Sequence, residues 1–191
     1  MLTRSLLAIS LIALFPAASW SAPREKIILI VRHGEKPETG PELTEQGQKR
    51  AQAYVGYFEN FKLDGKAVHI DELYATADSK NSERERLTLE PLSKALGEPL
   101  HNQYKNKQVG DLATELLAKP VGDHILVCWH HGQIPNLVKA LGADPSTLIP
   151  DGKWPGAHFD WVVVLRYDAS GKLEANKTQI LHEHLLPGDA P

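Results

Sequence analysis

The sequence predicts an α/β domain, a three-layer α/β/α sandwich around a mostly parallel sheet, on three observations. Lys26–Val31 and HILVCW at 124–129 are short, continuously apolar runs, the pattern of strands covered on both faces. Segments with helical spacing of apolar residues separate the strand-like runs. Alternation of the two patterns calls for parallel strands joined by crossover helices that cover both sheet faces.

Taken in order, the first 22 residues, MLTRSLLAISLIALFPAASWSA, have a basic start at Arg4, an apolar run over Leu6–Phe15 broken by Ser10, then Pro16 and small residues. That is the layout of a secretory signal peptide, cleaved between Ser19 and Pro23. The apolar run is about half the ~20 residues a membrane span needs. Residues 23–191 are then read as one domain; the full 191-residue chain has the 42% apolar and 24% charged content of an ordinary globular protein. Losing the leader removes only Arg4 as a charge and moves the net charge from −3 to −4. A mildly acidic chain lacks the basic excess that nucleic acid or an anionic membrane requires. Cys128 is the single cysteine, so no internal disulfide can form.

After the first strand and a loop with Pro37, Gly40 and Pro41, the segment LTEQGQKRAQAYVGYF places Ala51, Tyr54, Val55 and Phe58 on one helix face. IDELYAT (70–76) reads as a strand. NSERERLTLEPLSKALG (81–97) reads as a helix with Leu89, Leu92 and Leu96 inward, Asn81 or Ser82 as its N-cap, Gly97 as its stop and Pro91 as an interruption. The strand at 124–129 leads into a helix with Ile134, Leu137, Val138 and Leu141 on one side. Two further segments flank the turn signal DASGK and suggest a hairpin, with His182 and His184 on one face of its second strand.

In sheets of this kind ligands bind beyond the carboxyl ends of the strands. There the chain places unusual residues. IILIV runs into Arg32, His33 and Gly34, and the strand at 124–129 runs into His130, His131 and Gly132, 97 residues further on. An imidazole with an ordinary pKa near 6.5 offers an unprotonated nitrogen at neutral pH as nucleophile, base or ligand. Arg32 supplies a permanent planar cation suited to two phosphate oxygens. Gly34 allows close backbone approach to a ligand.

The order RHGE at 32–35, LTEQGQKRA at 43–51, Arg84 four residues before Thr88, and HHG at 130–132 before an amphipathic helix resembles the histidine phosphatase superfamily, the phosphoglycerate mutase-like fold, over nearly the whole of residues 23–191. The resemblance implies that His33 attacks phosphorus and becomes a phosphohistidine, while Arg32, Arg84 and a late histidine hold the phosphoryl oxygens. Gly34, Glu35 and Thr44 are assigned by it to the substrate-binding side, and it calls for no metal and no cofactor. Arg84 has the Arg-x-x-x-Thr spacing; Arg86 lies about 200° around the helix, toward solvent. His130 fits the register of the following helix, whereas His131 fits the His-Gly dipeptide and a Trp-x-His-x-x-Ile-Pro pattern of a divergent subgroup. The reading leans to His131 and keeps both. Glu35, Asp111 and Glu115 are candidates for the general acid, the latter two reading better as solvated first-turn acids of a helix. WPGAHFDW (154–161) reads either as a roof over the crevice, with His158 as its candidate contact, or as simple packing before a strand.

Three functions are compatible with these residues: a periplasmic or secreted phosphomonoesterase acting on a phosphorylated small molecule or exposed phosphate group, a phosphoglycerate mutase-type phosphotransferase, and an inactive member that binds a phosphorylated glycan or lipid. The first is preferred. No nucleic acid and no stable membrane association after leader cleavage are expected.

Overall fold

The computed structural model describes residues 25–120 and 123–189; the expected leader at 1–22 lies outside the described residues. In chain order the elements are β1 (Lys26–Arg32), α1 (Glu45–Glu59), β2 (Lys62–Leu63), β3 (Lys66–Ala67), β4 (Glu72–Ala75), α2 (Arg84–Leu96), β5 (Leu100–His101), α3 (Val109–Ala118), β6 (His124–Trp129), α4 (Ile134–Ala140), β7 (Trp161–Tyr167) and β8 (Gln179–His182). Six strands form one sheet in the order β5-β4-β6-β1-β7-β8, and β2 pairs with β3 in a small separate hairpin. β5, β4, β6 and β1 run parallel; β7 is antiparallel to β1 and β8 to β7.

β1 is buried at every position, as its unbroken apolar run requires. Its alternate side chains enter two different cores. Ile28 and Ile30 join Leu112 and Leu116 of α3 and Ile134, Leu137 and Val138 of α4. Ile27, Leu29 and Val31 join Tyr54 and Phe58 of α1 and Leu89 and Leu92 of α2 on the opposite face. The three layers follow from that period of two along the strand meeting helices on both sides.

Some boundaries differ from the sequence reading. α2 begins at Arg84 rather than 81, with Glu83 at the N-cap and no side-chain cap bond, because 79–82 form a turn in which Ser79 Oγ accepts from the amides of Asn81 and Ser82. Pro91 stays inside α2 on a half-buried face, at the loss of the one hydrogen bond its missing N–H would have made. β7 and β8 do pair as an antiparallel hairpin, but the chain makes a 3-10 turn at Ala175–Lys177 before β8 starts. β8 then ends at His182, and His184 lies beyond it with φ 47°. β5, only two residues long, carries too little pattern to be read from sequence.

Candidate active site

Strand register brings the two histidine segments together. Arg32 and Trp129 are paired across β1 and β6, so His33 and His130 leave adjacent parallel strands at the same level. The helix that follows β1 packs on one sheet face and the helix that follows β6 on the other. The backbones therefore diverge at the carboxyl edge of the sheet, the place where such folds bind ligands. The His33 and His130 ring centroids are 5.8 Å apart.

His33 is 1% exposed. Its Nδ1 lies 2.7 Å from the carbonyl oxygen of Gly34, a contact that only a protonated Nδ1 satisfies, so the lone pair resides on Nε2. Burial pushes the His33 pKa down to about 3, the Gly34 carbonyl opposes this, and the charges of Arg32, Arg84 and His130 lower it further. The ring is thus neutral at physiological pH, with a nucleophilic nitrogen available. The two guanidiniums thus act electrostatically on His33, and the His130 ring packs beside it.

The 154–161 loop acts through its backbone and Phe159. Arg32 Nη1 donates to the carbonyls of Gly156 (2.6 Å) and His158 (3.2 Å), and its guanidinium stacks 3.7 Å from the centre of the Phe159 ring. The His158 ring turns away, packing on Trp161 with Nδ1 3.9 Å from Asp160. Desolvation brings the Arg32 pKa down to about 10, still well above neutrality.

Arg84, the first residue of α2, donates from Nη1 to the Gly40 carbonyl (2.9 Å) and from Nη2 to the Asn81 carbonyl (3.1 Å). The Nε–H groups of both Arg32 and Arg84 are buried without a protein acceptor. Buried donors seldom stay unpaired, so each has unused capacity for an anion. Thr88 gives the Arg-x-x-x-Thr spacing its physical meaning: its hydroxyl donates to the Arg84 carbonyl (2.7 Å) and accepts from the Gly34 N–H (2.9 Å). One side chain therefore clamps the start of α2 to the residue after the nucleophile. Arg86, by contrast, is taken up by Asp78, Glu83 and Glu90.

Of the late histidines, His130 packs against His33 and lines a cavity of about 500 Å³ together with Arg84. The His131 ring packs on His130 at 4.7 Å, tilted by 31°, and interacts with the Trp154 backbone. Desolvation, aided by Arg32 and His130, lowers its pKa to about 4. The geometry thus favours His130, contrary to the leaning toward His131. The register of β6 sets this placement, since the first residue past the strand is the one abreast of His33.

Gly34, Glu35 and Thr44 support the site from behind. Gly34 approaches α1 closely: a Cβ there would lie 2.9 Å from the Gly47 carbonyl oxygen. Thr44 caps α1, accepting from the Gly47 N–H (3.1 Å). Glu35 is held by Arg50 at 2.7 Å, and Arg50 also binds Asp189. Asp111 is an exposed acid bonded to Gln108. Glu115 accepts from Tyr74 (2.7 Å) and from Tyr104, bonds that hold its carboxyl below the usual range. Neither is among the residues that line the cavity beside His130.

Sequence reasoning missed Phe159, Arg50 and Glu85. Glu85 is 2% exposed and lines the same cavity as Arg84 and His130. A buried acid next to the pocket arginine was concealed by the run of alternating charges in SERERLT, where Arg84 alone reads as facing the site.

No family model matches the chain, and no curated protein matches it by sequence. Solved structures do match. Phosphoglycerate mutase from Plasmodium falciparum is similar with a TM-score of 0.54 and 21% identity, over 88% of this chain and 98% of that one. The protein histidine phosphatase SixA, solved with tungstate, is similar with a TM-score of 0.52 and 20% identity, over 77% of this chain and 92% of that one. The chain therefore has the phosphoglycerate mutase-like fold.

Proposed function

We propose that the chain hydrolyses phosphate monoesters through a phosphohistidine on His33. The observation that carries this reading is a neutral His33 with Nδ1 engaged by Gly34, beside two buried guanidiniums that each keep an unpaired Nε–H. A phosphate dianion placed there meets Arg32, Arg84 and His130 on its non-bridging oxygens. Nε2 attacks phosphorus, the alcohol departs, and water then opens the P–N bond. Donors fixed in advance around the developing charge, in a pocket with little water, supply most of the rate in such a scheme, and loss of one costs about 10²-fold or more.

No step requires a metal or cofactor. The preferred substrate is a phosphorylated small molecule or exposed phosphate group. We read residues 1–22 as a leader that delivers the enzyme to the periplasm or outside the cell, which N-terminal sequencing of the mature protein tests.

The test of the activity is hydrolysis of an aryl phosphate in the presence of chelator by wild type and by His33→Ala. Turnover abolished in the variant supports the reading. Tight phosphate binding without turnover in wild type would point to a binding protein instead, and transfer between positions of a phosphoglycerate to a mutase.

A further inference from the structure

We propose that Glu85 is the proton-transfer residue of this reaction, donating to the leaving alcohol and later accepting from the attacking water. The inference rests on the phosphatase reading above. A dianionic ester with an alkyl leaving group departs as a strongly basic alkoxide unless a proton meets it, so the site needs an acid within reach of the bridging oxygen.

Three carboxylates suggested by the sequence are otherwise engaged: Glu35 by Arg50, Asp111 by Gln108 at the surface, and Glu115 by Tyr74 and Tyr104. Glu85 differs from all three. It is buried, it adjoins Arg84 in sequence, and among the described residues it enters no ion pair. Its one side-chain hydrogen bond comes from the Ser82 hydroxyl to Oε2, at 2.7 Å. It shares the 500 Å³ cavity with Arg84 and His130, the latter packed on the nucleophile. The negative charge of Glu85 also acts on His130, raising its pKa against the larger effect of burial.

The same cavity is a suitable seat for the departing alcohol. Thr76 Oγ1 and Asn106 Oδ1 line it, and both are buried without a protein partner. Such groups favour a leaving group that carries its own hydroxyls. In the first step the His33 Nε2–P bond forms, the P–O bond breaks, and the proton of the Glu85 carboxylic acid passes to the alcohol oxygen. In the second, the carboxylate takes a proton from water as the water oxygen bonds to phosphorus and the P–Nε2 bond breaks. Phosphate leaves, and both His33 and the acid are restored.

Leaving-group dependence tests the proposal. Pre-steady-state release of alcohol is measured for wild type and Glu85→Gln with glycerol phosphate, whose leaving group needs a proton, and with dinitrophenyl phosphate, whose leaving group does not. Gln is nearly isosteric and keeps an acceptor for Ser82, and Glu85→Asp provides a variant that retains the acid. The proposal predicts that Glu85→Gln loses about 10²-fold more on glycerol phosphate than on dinitrophenyl phosphate, with Glu85→Asp recovering part of that difference. Equal losses on both substrates would assign Glu85 a structural role and overturn the proposal while leaving the phosphatase reading intact. A wild-type enzyme inactive on both substrates would overturn the two together.

Discussion

Gly34 and Gly47 meet where neither has room for a side chain. A Cβ on Gly34 would come within 2.9 Å of the Gly47 carbonyl oxygen, and a Cβ on Gly47 within 2.5 Å of the Glu35 carbonyl oxygen, backbone in both cases. The first turn of α1 is thereby pressed against the segment that carries the nucleophile. Alanine at position 47 would gain up to about 1 kcal/mol in helix propensity, but the clash with fixed backbone is the larger effect. Gly47→Ala should cost about 1–3 kcal/mol by overpacking and should lower activity as well, since residues 34–35 must shift. Chemical denaturation and aryl phosphate turnover report the two effects.

Thr88 is the second anchor of that segment. Thr88→Val keeps the shape and leaves the buried Gly34 N–H without an acceptor, a loss of about 1–3 kcal/mol. Thr88→Ser retains the hydroxyl, so it should recover much of the stability and activity lost in the valine variant. Comparable behaviour of the two variants would remove Thr88 from the account.

The two late histidines separate cleanly by mutation. His130→Ala should reduce kcat/KM by about 10²-fold, as for loss of a preorganised donor, because His130 faces His33 at 5.8 Å. His131→Ala should reduce it much less, because that ring packs on His130, which is the histidine in contact with His33. The reverse order would restore the reading from the His-Gly dipeptide.

Glu183 gives a pH dependence of stability. Arg50 has three carboxylates around it; Glu35 and Asp189 take its hydrogen bonds, and Glu183 stays at 3.6 Å, fully buried. Desolvation raises the Glu183 pKa to about 8 against an ordinary value of 4.5, with Arg50 opposing the shift. The folded state therefore favours the protonated acid. Its contribution is intact below pH 4.5 and is lost as pH rises toward 8. Glu183→Gln lacks this titration, so the Tm of the variant relative to wild type should rise between pH 5 and about 8. A difference that is flat in pH would contradict the assignment.

How much of this was legible in the sequence depended on whether the information was local. The strand at 26–32 and that at 124–129 are buried on both faces, so their apolar runs announced them, and the residues just past their ends announced the site. The choice between His130 and His131 was not local; it depends on the pairing of Arg32 with Trp129 across two strands. Roles carried by backbone, such as the carbonyls of Gly156 and His158 on Arg32, leave no side-chain signature. The partners of Arg50 come from opposite ends of the chain, and only the fold brings Asp189 to it. Glu85 was concealed in a charged run whose Glu83 and Arg86 pair at the surface.

The central claim is that His33 becomes covalently phosphorylated while Arg32 and Arg84 hold the phosphoryl group. The most direct measurement is rapid quenching of the enzyme with a radiolabelled phosphate monoester under alkaline conditions, followed by peptide mapping. The account predicts an acid-labile, base-stable label on the peptide carrying His33, formed within the first turnover, absent from His33→Ala and greatly slowed in Arg84→Ala. Turnover by wild type with no label on that peptide, or full activity in His33→Ala, would contradict it.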